Sequence, residues 1–124
     1  MTVVGRYVFD HCEDLVLDTL PDGIVTIQDH AFYNCTSLAL TRLPDGITSI
    51  EKYAFGYCEN LALETLPMRL ETIDTDAFSN CKKIALTAFP NSIINIGGNA
   101  FRDCPNLAIT SLPSNLETIG QRAF

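Results

Sequence analysis

Tryptophan is absent from these 124 residues, methionine and histidine occur twice each, and lysine plus arginine number eight against fifteen acids. The resulting formal charge of −7 leaves no basic face for phosphate backbones, so nucleic acid is not an expected partner. No apolar run approaches the roughly 18 residues of a membrane helix, so membrane insertion is not expected either. The opening residues Met1-Thr2-Val3-Val4-Gly5-Arg6 lack a basic stretch followed by an apolar core, and no secretory signal is visible in them. Also missing are a phosphate-cradling glycine loop, Gly-x-Ser-x-Gly, His-Glu-x-x-His and any Cys-x-x-Cys pair. With two histidines and scattered acids, no catalytic constellation forms. The chain therefore reads as a non-enzyme without cofactor or metal.

What is present is periodic. With 47% apolar and 19% charged residues the chain is too apolar for a disordered tail. Its five cysteines, Cys12, Cys35, Cys58, Cys81 and Cys104, are separated by 23 residues each time. The same shift aligns Phe9, Phe32, Phe55, Phe78, Phe101 and Phe124, each preceded by Ala or, once, Val8. It also aligns Pro21, Pro44, Pro67, Pro90 and Pro113, and apolar columns such as Leu17/Leu40/Leu63/Leu86/Ile109 and Val4/Ile27/Ile50/Ile73/Ile96/Ile119. Residues 1–124 thus form one array of about 5.4 units, and periods of 20–50 indicate stacked coils. A coil of 23 residues cannot bury its own apolar face, so each must lie on its neighbours.

Helical repeats need about 33 residues or more per unit, which excludes them here. The unit instead reads as a short strand ending at Leu-Pro, a turn, a second extended piece around Ile47-Thr48-Ser49-Ile50, and a tight turn or short helical segment carrying Ala-Phe. Proline ends the first strand because it has no N–H and a fixed φ. Asp22-Gly23 and Asp45-Gly46 supply turn chemistry after it. Five thiols in one core column would lie about 5 Å apart, within reach of a disulfide. They point the same way, however, and are expected to stay reduced and pack as small hydrophobes.

Units such as Leu43-Pro-Asp-Gly-Ile-Thr-Ser-Ile-Glu-Lys-Tyr-Ala-Phe-Gly-Tyr-Cys-Glu-Asn-Leu61 resemble the BspA-type leucine-rich repeat, roughly Leu-Pro-x-x-Leu-x-x-Ile-Gly-x-x-Ala-Phe-x-x-Cys-x-x-Leu. One departure stands out: the family spaces its strand Leu-x-x-Ile-x-Ile-Pro, whereas Leu38-Ala-Leu-Thr-Arg-Leu-Pro44 has its middle apolar residue one place earlier. A one-residue shift turns a strand residue to the other face. The resemblance implies a curved, right-handed leucine-rich-repeat solenoid. Its parallel sheet would lie on the concave side, with short second strands, turns or short 3₁₀ or α segments, and little helix. It further implies adhesion or protein binding at a cell surface or after secretion, with a protein or glycan as ligand. An architectural spacer within a larger surface protein is the alternative.

Specificity in such an array lies where units differ. Two outward columns of the first strand, Asp18, Thr41, Glu64, Thr87, Thr110 and Thr19, Arg42, Thr65, Ala88, Ser111, are the candidate ligand-binding strip. At about 4.8 Å per strand it runs roughly 20 Å. It has few ions and no aromatic anchors of the kind that dominate binding hot spots. A second candidate is the turn side, with Tyr7, His30, Tyr53, Asp76, Asn99, Arg122 and His11, Asn34, Tyr57, Asn80, Asp103 in two columns. Charge is uneven: residues 1–62 carry nine acids and three bases, residues 63–124 six acids and five bases. No atypical polar repeat caps either end, so the chain is expected to be a slice of a longer array and, alone, to associate end to end or fray.

Overall fold

A computed structural model describes residues 2–124. Ile24, Ile27, Ile47, Ile50, Ile73 and Ile96 recur at fixed places in the repeat, and all are buried. The coil segments they mark pair into a single parallel sheet, β1 (Thr2–Val4), β2 (Ile24–Ile27), β3 (Ser49–Ile50), β4 (Thr72–Ile73), β5 (Asn95–Ile96) and β6 (Thr118–Ile119). Each strand neighbours the next in sequence, and Ser49 pairs with Thr72, which pairs with Asn95, which pairs with Thr118. Parallel pairing of consecutive elements needs a crossover. Here the rest of each 23-residue coil supplies it, without any helix among the described residues. The chain is a leucine-rich-repeat solenoid.

The sheet does not lie on the segment expected to carry it. Among the described residues the stretch before each proline contains no strand. Leu38 and Leu40 are buried with Ala39 exposed between them, but Thr41 and Arg42 are then both exposed before buried Leu43. Two adjacent outward residues cannot occur in a flat strand, where neighbours face opposite sides. The chain bends at Asp18, Thr41, Glu64-Thr65 and Ser111. That bend absorbs the displaced apolar residue. Only scattered bonds cross here: the Ala62 N–H donates to the Leu40 carbonyl at 3.1 Å, Glu64 to Thr41 at 3.2 Å, Ala85 to Leu63 at 3.1 Å and Ala108 to Leu86 at 3.0 Å.

A second ladder runs through the Ala-Phe turn. In the third coil the N–H groups of Tyr53, Phe55 and Tyr57 donate to the carbonyls of Thr75, Ala77 and Ser79 in the next coil, at 3.1, 2.8 and 2.8 Å. The intervening N–H groups of Ala54, Gly56 and Cys58 donate to Glu51, Tyr53 and Phe55 within their own coil. Alternate residues therefore close turns and join coils, so every backbone donor of the segment is used. Between the two ladders, the phenylalanines form a continuous stack. Centroids of Phe9, Phe32, Phe55, Phe78 and Phe101 are 5.2–5.5 Å apart, with planes within 15° of parallel. Offset-stacked pairs contribute about 0.5–1.5 kcal/mol beyond their area burial.

All five cysteines are free, and only Cys12 is not buried. They do more than fill space. The thiols of Cys35, Cys58, Cys81 and Cys104 donate to the carbonyls of Phe9, Phe32, Phe55 and Phe78, in the preceding coil, at 2.9–3.1 Å. Burial pushes the Cys35 and Cys104 thiols up to about 11 and those of Cys58 and Cys81 further still. The folded chain thus keeps thiol protons that the unfolded chain begins to lose near pH 9. Their contribution is intact below that pH and falls as pH rises through the folded values. In native protein at pH 8, Cys12 is expected to react alone and fast with a disulfide reagent, with all five reacting after denaturation. Reaction of Cys58 at the rate of Cys12 would contradict this packing.

Candidate functional site

The strip read from sequence is exposed throughout: Asp18, Thr19, Thr41, Arg42, Glu64, Thr65, Thr87, Thr110 and Ser111 all face solvent. It follows the bent segment before the prolines and not a sheet face. Thr19 and Arg42 come together in one shallow groove of about 400 Å³, with Pro21 and Pro44 as its walls. Arg42 also reaches the exposed Asp45 carboxylate at 4.0 Å. An exposed pair at that distance is worth little, so Arg42 is free to turn toward a ligand.

The turn side holds a more organised group. Its two variable columns are the left-handed positions of the backbone, with φ of 56–60° at Tyr7, His11, His30, Asn34, Tyr53, Tyr57, Asp76, Asn80, Asn99, Asp103 and Arg122. Tyr53 and Tyr57 each occupy the third position of a four-residue turn, because the Ala54 N–H reaches Glu51 and the Cys58 N–H reaches Phe55. A positive φ there favours glycine or asparagine. Asp76, Asn80, Asn99 and Asp103 follow this preference in the later coils. Tyr7, Tyr53 and Tyr57 do not, and a side chain of their kind costs about 1–2 kcal/mol in that conformation.

These rings meet. His30 is stacked between Tyr7 and Tyr53, with centroids 4.6 and 5.0 Å away. Tyr33 stands edge-on to His11, Tyr53 and Tyr57 at 5.4–5.7 Å and tilted against His30 at 5.1 Å. All four tyrosines and both histidines of the chain thus form one cluster on the first three coils. Tyr33 has room because the next coil carries Gly56 in its column. A Cβ there would lie 3.1 Å from the Tyr33 ring. Tyr7 and Tyr57 remain 55% and 40% exposed, so the cluster is a surface and not a core.

Acids surround it. Burial first, then the neighbouring Tyr57 and the Asp10 and Asp76 carboxylates, raise the Tyr33 hydroxyl above its ordinary value. Burial and Asp76 do the same for Tyr53. Asp10 lies 2.9 Å from His11 Nδ1, and the Asn34 amide donates to Glu13 at 3.3 Å. The columns were legible in sequence, but their meeting as a cluster was not. Tyr33 belongs to neither column, and only its pairing with Gly56 in the next unit signals the contact.

A family model described as BspA type Leucine rich repeat region matches the chain in six copies over residues 2–124. A leucine-rich repeat protein from Bacteroides ovatus is similar in structure, with a TM-score of 0.68 and 23% identity, over 100% of this chain. The chain spans only 38% of that protein. The T. pallidum leucine-rich repeat protein is similar at a TM-score of 0.55 and 30% identity, over 86% of this chain and 68% of that one. A search of curated proteins found no match. Six copies of the repeat, carried by recurring Leu-Pro, Ala-Phe and Cys positions on a six-stranded parallel solenoid, lead to one assignment: the chain belongs to the BspA-type leucine-rich-repeat family.

Proposed function

We propose that this chain is a protein-interaction module of a surface or secreted protein, holding a protein or glycan ligand against exposed residues of successive coils. One observation carries this reading. Asp18, Thr41, Arg42, Glu64, Thr65, Thr87 and Ser111 are all exposed, and they differ between coils on a backbone whose buried columns stay apolar. A rigid scaffold with variable exposed positions is how repeat proteins build extended binding surfaces. The reading assigns no catalysis to the chain. Its placement at a cell surface rests on the family resemblance alone.

Charge reversal at Arg42→Glu and Glu64→Lys tests the strip. In a binding screen against immobilised extracellular proteins and glycans, a partner held there is expected to lose at least tenfold in affinity in the double variant. Unchanged binding would remove the strip from the account.

The architectural alternative is a spacer or assembly repeat that extends a larger protein and holds no ligand of its own. In that reading the 124-residue chain associates end to end, with a mass in light scattering that grows with concentration, and captures no ligand in the screen. A monomer at all concentrations would exclude it.

A further inference from the structure

The aromatic cluster has three features that a merely structural surface would not combine. Its rings are held at a cost, since Tyr7, Tyr53 and Tyr57 occupy left-handed backbone positions that the fourth and fifth coils fill with Asp or Asn. Strain of that kind, retained where a cheaper residue serves the fold, points to a use for the side chain. The cluster is also confined. Every tyrosine and histidine of the chain is in it, and the same columns in later coils carry no ring.

The turn segments that carry it, finally, are mostly acidic. The turn segments 6–14, 28–37 and 51–60 carry six acids, including Asp10, Glu13 and Glu59, against two bases, Arg6 and Lys52. Cations are attracted to the faces of tyrosine rings, arginine most often, and adjacent carboxylates add a paired charge. A neutral sugar would use the rings but would gain nothing from the acids.

We propose that the Tyr33-centred face of the first three coils docks a basic segment of a partner protein, its arginine or lysine side chains lying on the tyrosine rings and pairing with Asp10, Glu13 and Glu59. The inference deepens the interaction-module reading, and rests on it, by naming both the face and the chemistry of the partner. It adds a recognition face on the turn side of the coils, apart from the strip of Thr41, Arg42 and Glu64.

The missing tryptophan makes the test selective, because all ultraviolet-excited emission of tyrosine type comes from the four residues of this patch. A twelve-residue peptide rich in arginine and lysine is titrated into the chain, beside the same peptide with glutamine at every basic position and a neutral hexasaccharide. Tyrosine emission and calorimetry are both followed. The basic peptide is expected to change the emission and to bind, with affinity falling as salt rises, while the glutamine peptide and the sugar do neither. Three substitutions borrow the residue of the same column in another coil, Tyr33→Ser from Ser79, Tyr53→Asn from Asn99 and Tyr57→Asn from Asn80, so the fold is kept, as circular dichroism would show. The triple variant is expected to lose at least tenfold in affinity for the peptide. Asp10→Asn with Glu13→Gln should lose affinity and flatten the salt dependence.

Binding of the hexasaccharide in preference to the basic peptide would overturn the proposal in favour of a glycan surface. So would absence of peptide binding, or binding that the triple variant retains. If the peptide binds, survives the triple variant and is lost in Arg42→Glu/Glu64→Lys, this face fails while the interaction module stands. If no probe binds and the broader screen is also empty, both readings fall together.

Discussion

Replacing Phe55 with alanine is expected to lower the stability of the chain by about 3–5 kcal/mol, the usual cost of removing a fully buried phenylalanine. Phe55 is 0% exposed and is stacked on Phe32 at 5.2 Å and on Phe78 at 5.5 Å. Its removal takes a partner from both neighbours at once. Small domains have only about 5–15 kcal/mol of stability in all, so the loss is a large share of the total. In a stack where each coil touches only the next, the damage also divides the array. Urea unfolding read by tyrosine emission reports the first three coils, while far-ultraviolet circular dichroism reports them all. The two transitions are expected to coincide in the parent chain and to separate in Phe55→Ala. Phe124→Ala is the control: that ring is 52% exposed and meets Phe101 at 6.0 Å, so its loss should cost well under half as much. Equal effects at Phe55 and Phe124 would show that the rings do not form the core as described.

The columns behind that prediction were open to inspection in the sequence, because a residue that must meet its own copy in the next coil has to recur at the coil period. The sheet was harder to place. Its strands read Ile-x-x-Ile, as in Ile24-Val25-Thr26-Ile27, where buried residues are three apart and the period-two signal of a strand never develops. The segment Leu38-Ala-Leu40 does show that period, yet it bends at Thr41 and forms no strand. A ladder of two to four residues per coil is too short to leave a pattern; the repeat itself was the only guide to it. The thiols show a different limit. Burial of Cys58 follows from its column, but its bond to the Phe32 carbonyl depends on how the preceding turn is set, which no spacing reveals.

Gly97→Ala is expected to be the second most damaging change, at about 1–3 kcal/mol, the range for forcing atoms into a packed interior. A Cβ at Gly97 would lie 2.5 Å from the carbonyl carbon of Asp74 and the amide nitrogen of Thr75, both backbone atoms of the preceding coil. No rotation of a side chain relieves such a contact, so the coils themselves must separate. That motion strains the bond from the Gly97 N–H to the Ile73 carbonyl, now 2.7 Å. Gly120 repeats the arrangement one coil later, with a Cβ position against the backbone of Gly97 and Gly98. Gly5 occupies the same column with no atom within 4 Å of its Cβ position, so Gly5→Ala should leave the melting temperature unchanged. Thermal melts of the two variants side by side check the contrast. A Gly97→Ala chain as stable as Gly5→Ala would mean that the last coils are not packed this closely.

The candidate surfaces were legible to different degrees for the same reason. Exposure of Thr41, Arg42 and Glu64 follows from the buried leucines on either side, so the strip could be named from spacing. The aromatic cluster depends on backbone sign. Asn80 and Asp103 suit a left-handed position and hint at one, but Tyr53 and Tyr57 give no such sign by themselves. Only the turn geometry turns their rings toward Tyr33.

The central claim is that the coils are joined at the short strands and at the Ala-Phe turn, and hardly at all along the segment before each proline. Residue-resolved amide hydrogen exchange tests it directly. Strong protection is predicted for Phe55 and Phe78, whose N–H groups reach Ala77 and Ala100 at 2.8 Å, and for Asp74, bonded to Ile50 at 2.9 Å. Arg42 and Thr87, with no backbone acceptor among the described residues, should exchange near the unprotected rate. Continuous protection through Leu38–Leu43 and Ile84–Phe89, with open amides at Phe55 and Phe78, would contradict the account.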